Sequence, residues 1–93
     1  MTGLQTKGAG KVMGEDDRDD LLGAVRDAWA ETLGVDPDAV PLDVGFFDAG
    51  GNSLLLLLLW EQLNELPGGG LRATDLFQHP TVRAQTRLLA GDL

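Results

Sequence analysis

Asp48-Ala-Gly-Gly-Asn-Ser-Leu-Leu-Leu-Leu-Leu-Leu-Trp-Glu-Gln-Leu-Asn-Glu-Leu-Pro67 is the stretch on which the reading of this 93-residue chain turns. Gly50 and Gly51 permit a tight bend, Asn52 is a strong N-cap residue, and strong helix formers follow until Pro67. Gly68, Gly69 and Gly70 then break the chain. The pattern predicts a helix over 52–66 with Ser53 at its first helical position. At about 100 degrees per residue, Leu55, Leu56, Leu59, Trp60, Leu63 and Leu66 share one broad face, the expected core face. Leu54, Leu57 and Leu58 fall on the other side with Glu61, Asn64 and Glu65, forming an apolar patch bordered by acidic and polar groups.

Upstream, residues 35–51 contain Pro37, Pro41, Gly45 and scattered Asp, and read as a long loop. Val40, Leu42, Val44, Phe46 and Phe47 suggest that the loop packs onto the helices, with both phenylalanines in the core and one of them as chief anchor. Before it, Leu21, Leu22, Val25, Ala28, Trp29 and Leu33 recur at helical spacing over 18–33. Asp16, Asp17, Asp19 and Asp20 suit the positive start of that helix, and Gly34 supplies its stop.

Downstream, residues 71–77 predict a short helix with Thr74 or Asp75 near its start and Leu76 and Phe77 turned inward. Residues 81–89 predict a further helix after Pro80, with Val82, Ala84, Leu88 and Leu89 as its apolar positions and Gly91 as its stop. Residues 1–16, interrupted by Gly3, Gly8, Gly10 and Gly14, read as a flexible tail without a function, which leaves a domain over 17–91. Neither strand-like alternation nor an internal repeat is present. The fold class is all-α: a small four-helix bundle of three principal helices and one short helix, with a long loop between helices one and two.

Composition narrows the function. A chain this short holds one modest core and no deep enclosed pocket, which disfavours a stand-alone enzyme, and 43% apolar residues favour a folded domain over a disordered one. Seven Lys and Arg stand against fifteen Asp and Glu, a formal charge of −8 that repels polyphosphate backbones and anionic lipid. Nucleic acid and membrane are thus not expected partners; a protein with a basic patch is. The chain has no Cys and one His, so it cannot assemble a thiolate zinc site, a disulfide framework or a Cys nucleophile. The longest apolar run, over 54–60, is far below the roughly 20 residues that span a bilayer, and no signal peptide is evident. The expectation is a cytoplasmic monomer.

Local chemistry leaves Ser53 with two readings. Asn52 caps the helix and leaves the Ser53 hydroxyl free at the positive end of the helix dipole, where a phosphate ester is favoured. Alternatively, Ser53 is itself the cap and the paired glycines are merely a turn, the simpler reading on local grounds. A serine hydrolase is disfavoured, because Leu55 stands where a nucleophile elbow needs its second glycine. A P-loop is excluded by the lack of Gly-Lys-Ser/Thr.

The segment Phe46-Phe-Asp-Ala-Gly-Gly-Asn-Ser-Leu54 resembles the attachment motif of peptidyl carrier proteins in nonribosomal peptide synthesis. A second block, Asp75-Leu-Phe-Gln-His-Pro-Thr-Val82, is similar to the segment joining the third and fourth helices in that family. With the first helix, the likeness covers about 19–90 and implies a bundle of the acyl carrier protein type. It further implies that a phosphopantetheinyl transferase moves 4'-phosphopantetheine from coenzyme A onto Ser53, beside Asn52 and Gly51 in the motif. The exposed thiol would then hold aminoacyl or peptidyl groups as thioesters for antibiotic-type natural product assembly. Its implied partners are the transferase, an adenylating loading enzyme, and condensation or tailoring enzymes, and the carrier itself would catalyse nothing. Three positions depart from the family: Ala49 replaces the usual Leu, Asn52 the frequent His or Asp, and the leucine run a more polar second helix. Leu54, Leu57 and Leu58 are accordingly expected to supply apolar contact to partner enzymes, with Glu61 and Glu65 orienting a basic surface. The Met1 start points to a free-standing protein. The competing readings are an acyl carrier for polyketide or fatty-acid synthesis and a helical interaction domain without a covalent cofactor.

Overall fold

The computed structural model describes residues 15–91, and the tail expected over 1–16 lies outside these residues up to residue 14. Within them the chain forms four α-helices and no strand: α1 (Glu15–Leu33), α2 (Ser53–Leu63), α3 (Ala73–Gln78) and α4 (Val82–Leu89), with a 3₁₀ turn at Pro37–Ala39. The expected all-α bundle, with its long first connection and one short helix, is the observed architecture.

Helix α1 starts at Glu15, three residues before the expected 18. It ends at Gly34, whose N–H donates to the Ala30 carbonyl at 2.8 Å. Leu21, Val25, Ala28, Trp29 and Ala30 are buried, and the expected Leu22 and Leu33 pack half-buried against them. Helix α2 buries Leu56, Leu59 and Leu63, with Leu55, Trp60 and Leu66 packed at the edge of the core.

Helix α2 is shorter than the predicted 52–66, because Asn64 has another task. Its side-chain oxygen accepts from the N–H groups of Gly70 and Leu71, at 2.9 and 2.8 Å, and the Trp60 indole N–H donates to the Leu71 carbonyl at 2.8 Å. Residues 64–66 therefore tighten into i→i+3 turns: Glu65 N–H reaches the Gln62 carbonyl and Leu66 N–H the Leu63 carbonyl, each at 3.1 Å. Asn64, expected on the solvent side, is half-buried and anchors the glycine segment that leads into α3.

Helix α4 corrects the expected apolar stripe. Val82 and Leu89 are buried, but their companions are Gln85 and Thr86, while Ala84 and Leu88 are only half-buried. The reason lies in α1: the fully buried Trp29 carries an N–H that needs an acceptor, and the Gln85 carboxamide oxygen accepts it at 2.9 Å. The Thr86 hydroxyl donates to the Val82 carbonyl within its own helix at 2.8 Å.

The long loop packs as predicted, through fewer residues than predicted. Val40 and Phe46 are fully buried, with Phe46 edge-on to Trp29 at a centroid distance of 5.0 Å. Phe47, expected in the core, is 45% exposed, as is Phe77 at 56%, whereas its neighbour Leu76 is buried. Successive residues on a helix point about 100° apart, and in α3 Leu76 takes the core while Phe77 turns out. The two displaced rings stack on each other at 6.0 Å, each shielding part of the other from water.

Candidate attachment site at the head of helix α2

The loop before α2 is fastened at several points. The Phe46 N–H donates to the Pro80 carbonyl at 2.9 Å, and the Arg83 N–H to the Leu42 carbonyl at 3.1 Å. The Arg83 side chain also pairs with Asp43, at 2.8 and 3.3 Å, and this guanidinium holds the Asp43 carboxyl below the usual carboxylate range. At the end of the loop, the Ala49 and Gly51 N–H groups both donate to the Phe46 carbonyl, at 3.2 and 2.9 Å. Gly50 sits at φ +111°, a backbone angle that side chains resist, and a methyl group on Gly51 would collide with the Phe46 ring. Each glycine of the pair thus has its own physical reason.

The structure decides between the two local readings of Ser53. Asn52 is the N-cap: it has extended backbone angles, and its side-chain oxygen accepts the Leu55 N–H at 2.9 Å. Its carbonyl accepts the Leu56 N–H at 2.8 Å. Ser53 is the first residue of the helix, is exposed, and spends its hydroxyl on no cap. The main-chain N–H groups of Ser53 and Leu54 have no main-chain acceptor among the described residues, which leaves two donors at the positive end of an 11-residue helix. An exposed hydroxyl beside two such donors fits a phosphodiester: the oxygen to be esterified faces water, and the anionic group finds hydrogen-bond donors.

Leu54, Leu57 and Leu58 are 67%, 47% and 44% exposed, as their helical phase predicts. Glu61 is exposed on the same helix. Glu65 is not part of that helix. It lies past the end of α2, lining a shallow groove of about 330 Å³ with Asp27 and Glu31 of α1. Glu65 is exposed there.

Sequence reasoning missed the Phe47–Phe77 pair, which joins the loop to α3. Residue type alone carried no signal for it, since adjacent helical residues can both be buried, as Gln85 and Thr86 are. His79, the single histidine, has a structural place, since its N–H closes the end of α3 on the Asp75 carbonyl at 2.9 Å.

Comparison with known proteins agrees with this geometry. Over 74 residues the chain is 47% identical to the polyketide synthase GfsA of Streptomyces halstedii, a match covering 78% of this chain and 1% of that protein. It is 40% identical over 90 residues to the hybrid PKS-NRPS synthetase TAS1 of Pyricularia oryzae, covering 95% of this chain and 5% of that protein. Similarity to the nonribosomal peptide synthetase acrB of Aspergillus aculeatus is 42% identity over 62 residues, covering 67% and 4%. The chain thus spans only a small fraction of the length of these relatives. A family model described as the phosphopantetheine attachment site matches residues 23–89, which takes in all of α2, α3 and α4. The chain belongs to the phosphopantetheine attachment site family, in which 4'-phosphopantetheine is held covalently by a carrier domain.

Proposed function

We propose that Ser53 carries the phosphopantetheine arm and that the chain holds aminoacyl or peptidyl intermediates during nonribosomal peptide assembly. The observation that carries this reading is the division of labour at the head of α2, where Asn52 caps the helix and leaves the hydroxyl of the chain's only serine free and exposed. The arm supplies a terminal thiol that takes an acyl group as a thioester. Asn52 holds the first turn in place, and the Ser53 and Leu54 N–H groups favour the phosphodiester. No His or carboxylate among the described residues is hydrogen-bonded to the Ser53 hydroxyl, so the base for its proton comes from the transferase. Tethering then raises the effective concentration of the intermediate for successive enzymes.

A polyketide carrier is the second reading, favoured by the 47% identity to a polyketide synthase. The peptidyl reading is favoured by the paired glycines, by the Leu76-Phe-Gln-His-Pro-Thr81 block and by the similarity to synthetases with nonribosomal peptide in their names. Leu54, Leu57 and Leu58 provide the apolar contact for partner enzymes, with Glu61 and Glu65 attracting a basic rim.

Intact-mass analysis tests the attachment. With coenzyme A and a broad-specificity transferase, the chain is expected to gain one phosphopantetheine and Ser53→Ala none; an unmodified wild type beside a modified control carrier refutes the proposal. Offering the modified chain to adenylating enzymes with amino acids, or to acyltransferases with acyl-coenzyme A, separates the two readings by the mass of the thioester formed.

A further inference from the structure

We propose that Phe46 is a positioning residue for Ser53, holding the bend from which the serine is presented. The inference rests on the reading of Ser53 as the attachment site. Phe46 is fully buried, and its ring meets the Trp29 ring of α1 edge-on, at an interplanar angle of 87°. Its N–H donates to the Pro80 carbonyl, tying the loop to the junction between α3 and α4. Its carbonyl receives the Gly51 N–H at 2.9 Å and shares the Ala49 N–H with the Gly45 carbonyl, so it takes part in closing the bend. Its ring edge occupies the space where a side chain at Gly51 would stand: three of its carbons lie within collision distance of such a methyl. Ser53 follows Gly51 by two residues. Phe46 therefore connects the bend before α2 to α1 through its ring and to the entry into α4 through its main chain.

This arrangement predicts reciprocal behaviour. Gly51→Ala drives a methyl into the ring and displaces the bend, while Phe46→Leu leaves the bend without its support. In the double variant, the smaller Leu side chain makes room for the methyl, so the two defects are not independent.

The test compares wild type, Phe46→Leu, Gly51→Ala and the double variant, using the kcat/KM of transferase modification and the hydrogen exchange of the Gly51 N–H. Leu63→Ala is the control: it empties a core position at the far end of α2, about 15 Å from Ser53 along the helix axis. Each loop variant is expected to lose roughly 10- to 100-fold in kcat/KM, the scale on which misplaced reacting groups act. The double variant should be less impaired than the product of the single effects. Gly51 exchange should quicken in Phe46→Leu beyond its value in Leu63→Ala at the same Tm, and Leu63→Ala should keep the wild-type modification rate. Wild-type rates in both loop variants, or losses no greater than in the control at matched Tm, overturn the inference. If the wild type itself gains no arm, the attachment reading falls, and unchanged Gly51 exchange in Phe46→Leu then overturns the positioning role as well.

Discussion

Helix α2 presents the same residue type in two opposite settings. Leu56, Leu59 and Leu63 are sealed in the core, while Leu54, Leu57 and Leu58, their neighbours in the chain, stand in solvent. Composition cannot distinguish them, but helical phase does. The difference teaches that α2 uses one leucine face to hold the fold and keeps the other uncovered, so truncation on the two faces should separate stability from partner engagement.

The largest effect is expected inside. Leu59→Ala removes a fully buried side chain and should cost about 2–5 kcal/mol in urea unfolding, a sizeable share of a small domain's total stability. A loss below about 0.5 kcal/mol, typical of surface positions, would erase the contrast between the faces. Helix α4 sharpens it from the other side, because there a polar residue is buried. Gln85→Leu deprives the Trp29 N–H of its acceptor and should cost about 1–3 kcal/mol in thermal or urea unfolding. A stabilised variant would show that hydrophobic burial alone governs that contact.

On the outer face, Leu57→Ser and Leu58→Ser should shift stability by no more than about 0.5 kcal/mol while slowing loading by partner enzymes. Unchanged loading and downstream transfer would remove the docking role. The smallest effect belongs to the solvent-exposed Asp43–Arg83 pair. Arg83 depresses the folded-state pKa of Asp43, so the contribution of the pair is present above the unfolded value of about 4 and lost as pH falls through the lowered folded value. The Tm difference between wild type and Asp43→Asn should therefore be small at neutral pH and vanish on acidification. A difference that grows in acid would contradict the assigned cause.

Periodicity made much of this molecule legible in advance: the two longest helices, the core and solvent faces of α2, and the packed loop. It failed where tertiary hydrogen bonding overrides pattern. Asn64 leaves its expected solvent role to hold Gly70 and Leu71, and α2 ends at Leu63. Gln85 is buried because Trp29, 56 residues away, needs an acceptor, a pairing that no local window contains. Phe47 and Phe77 read as core by residue type, yet the volume beside Trp29 is taken by Phe46, and they stack outside instead. At the site, the bend and the cap follow from Gly50, Gly51 and Asn52, whereas the choice between Asn52 and Ser53 as cap needed three-dimensional geometry.

The central claim is that the hydroxyl freed by the Asn52 cap bears the arm. Fragmentation mass spectrometry of the chain after treatment with coenzyme A and transferase tests it most directly. The account predicts one added phosphopantetheine, localised to Ser53 and absent from Ser53→Ala. An added group on any other residue, or a chain that stays unmodified beside a modified control carrier, would contradict it.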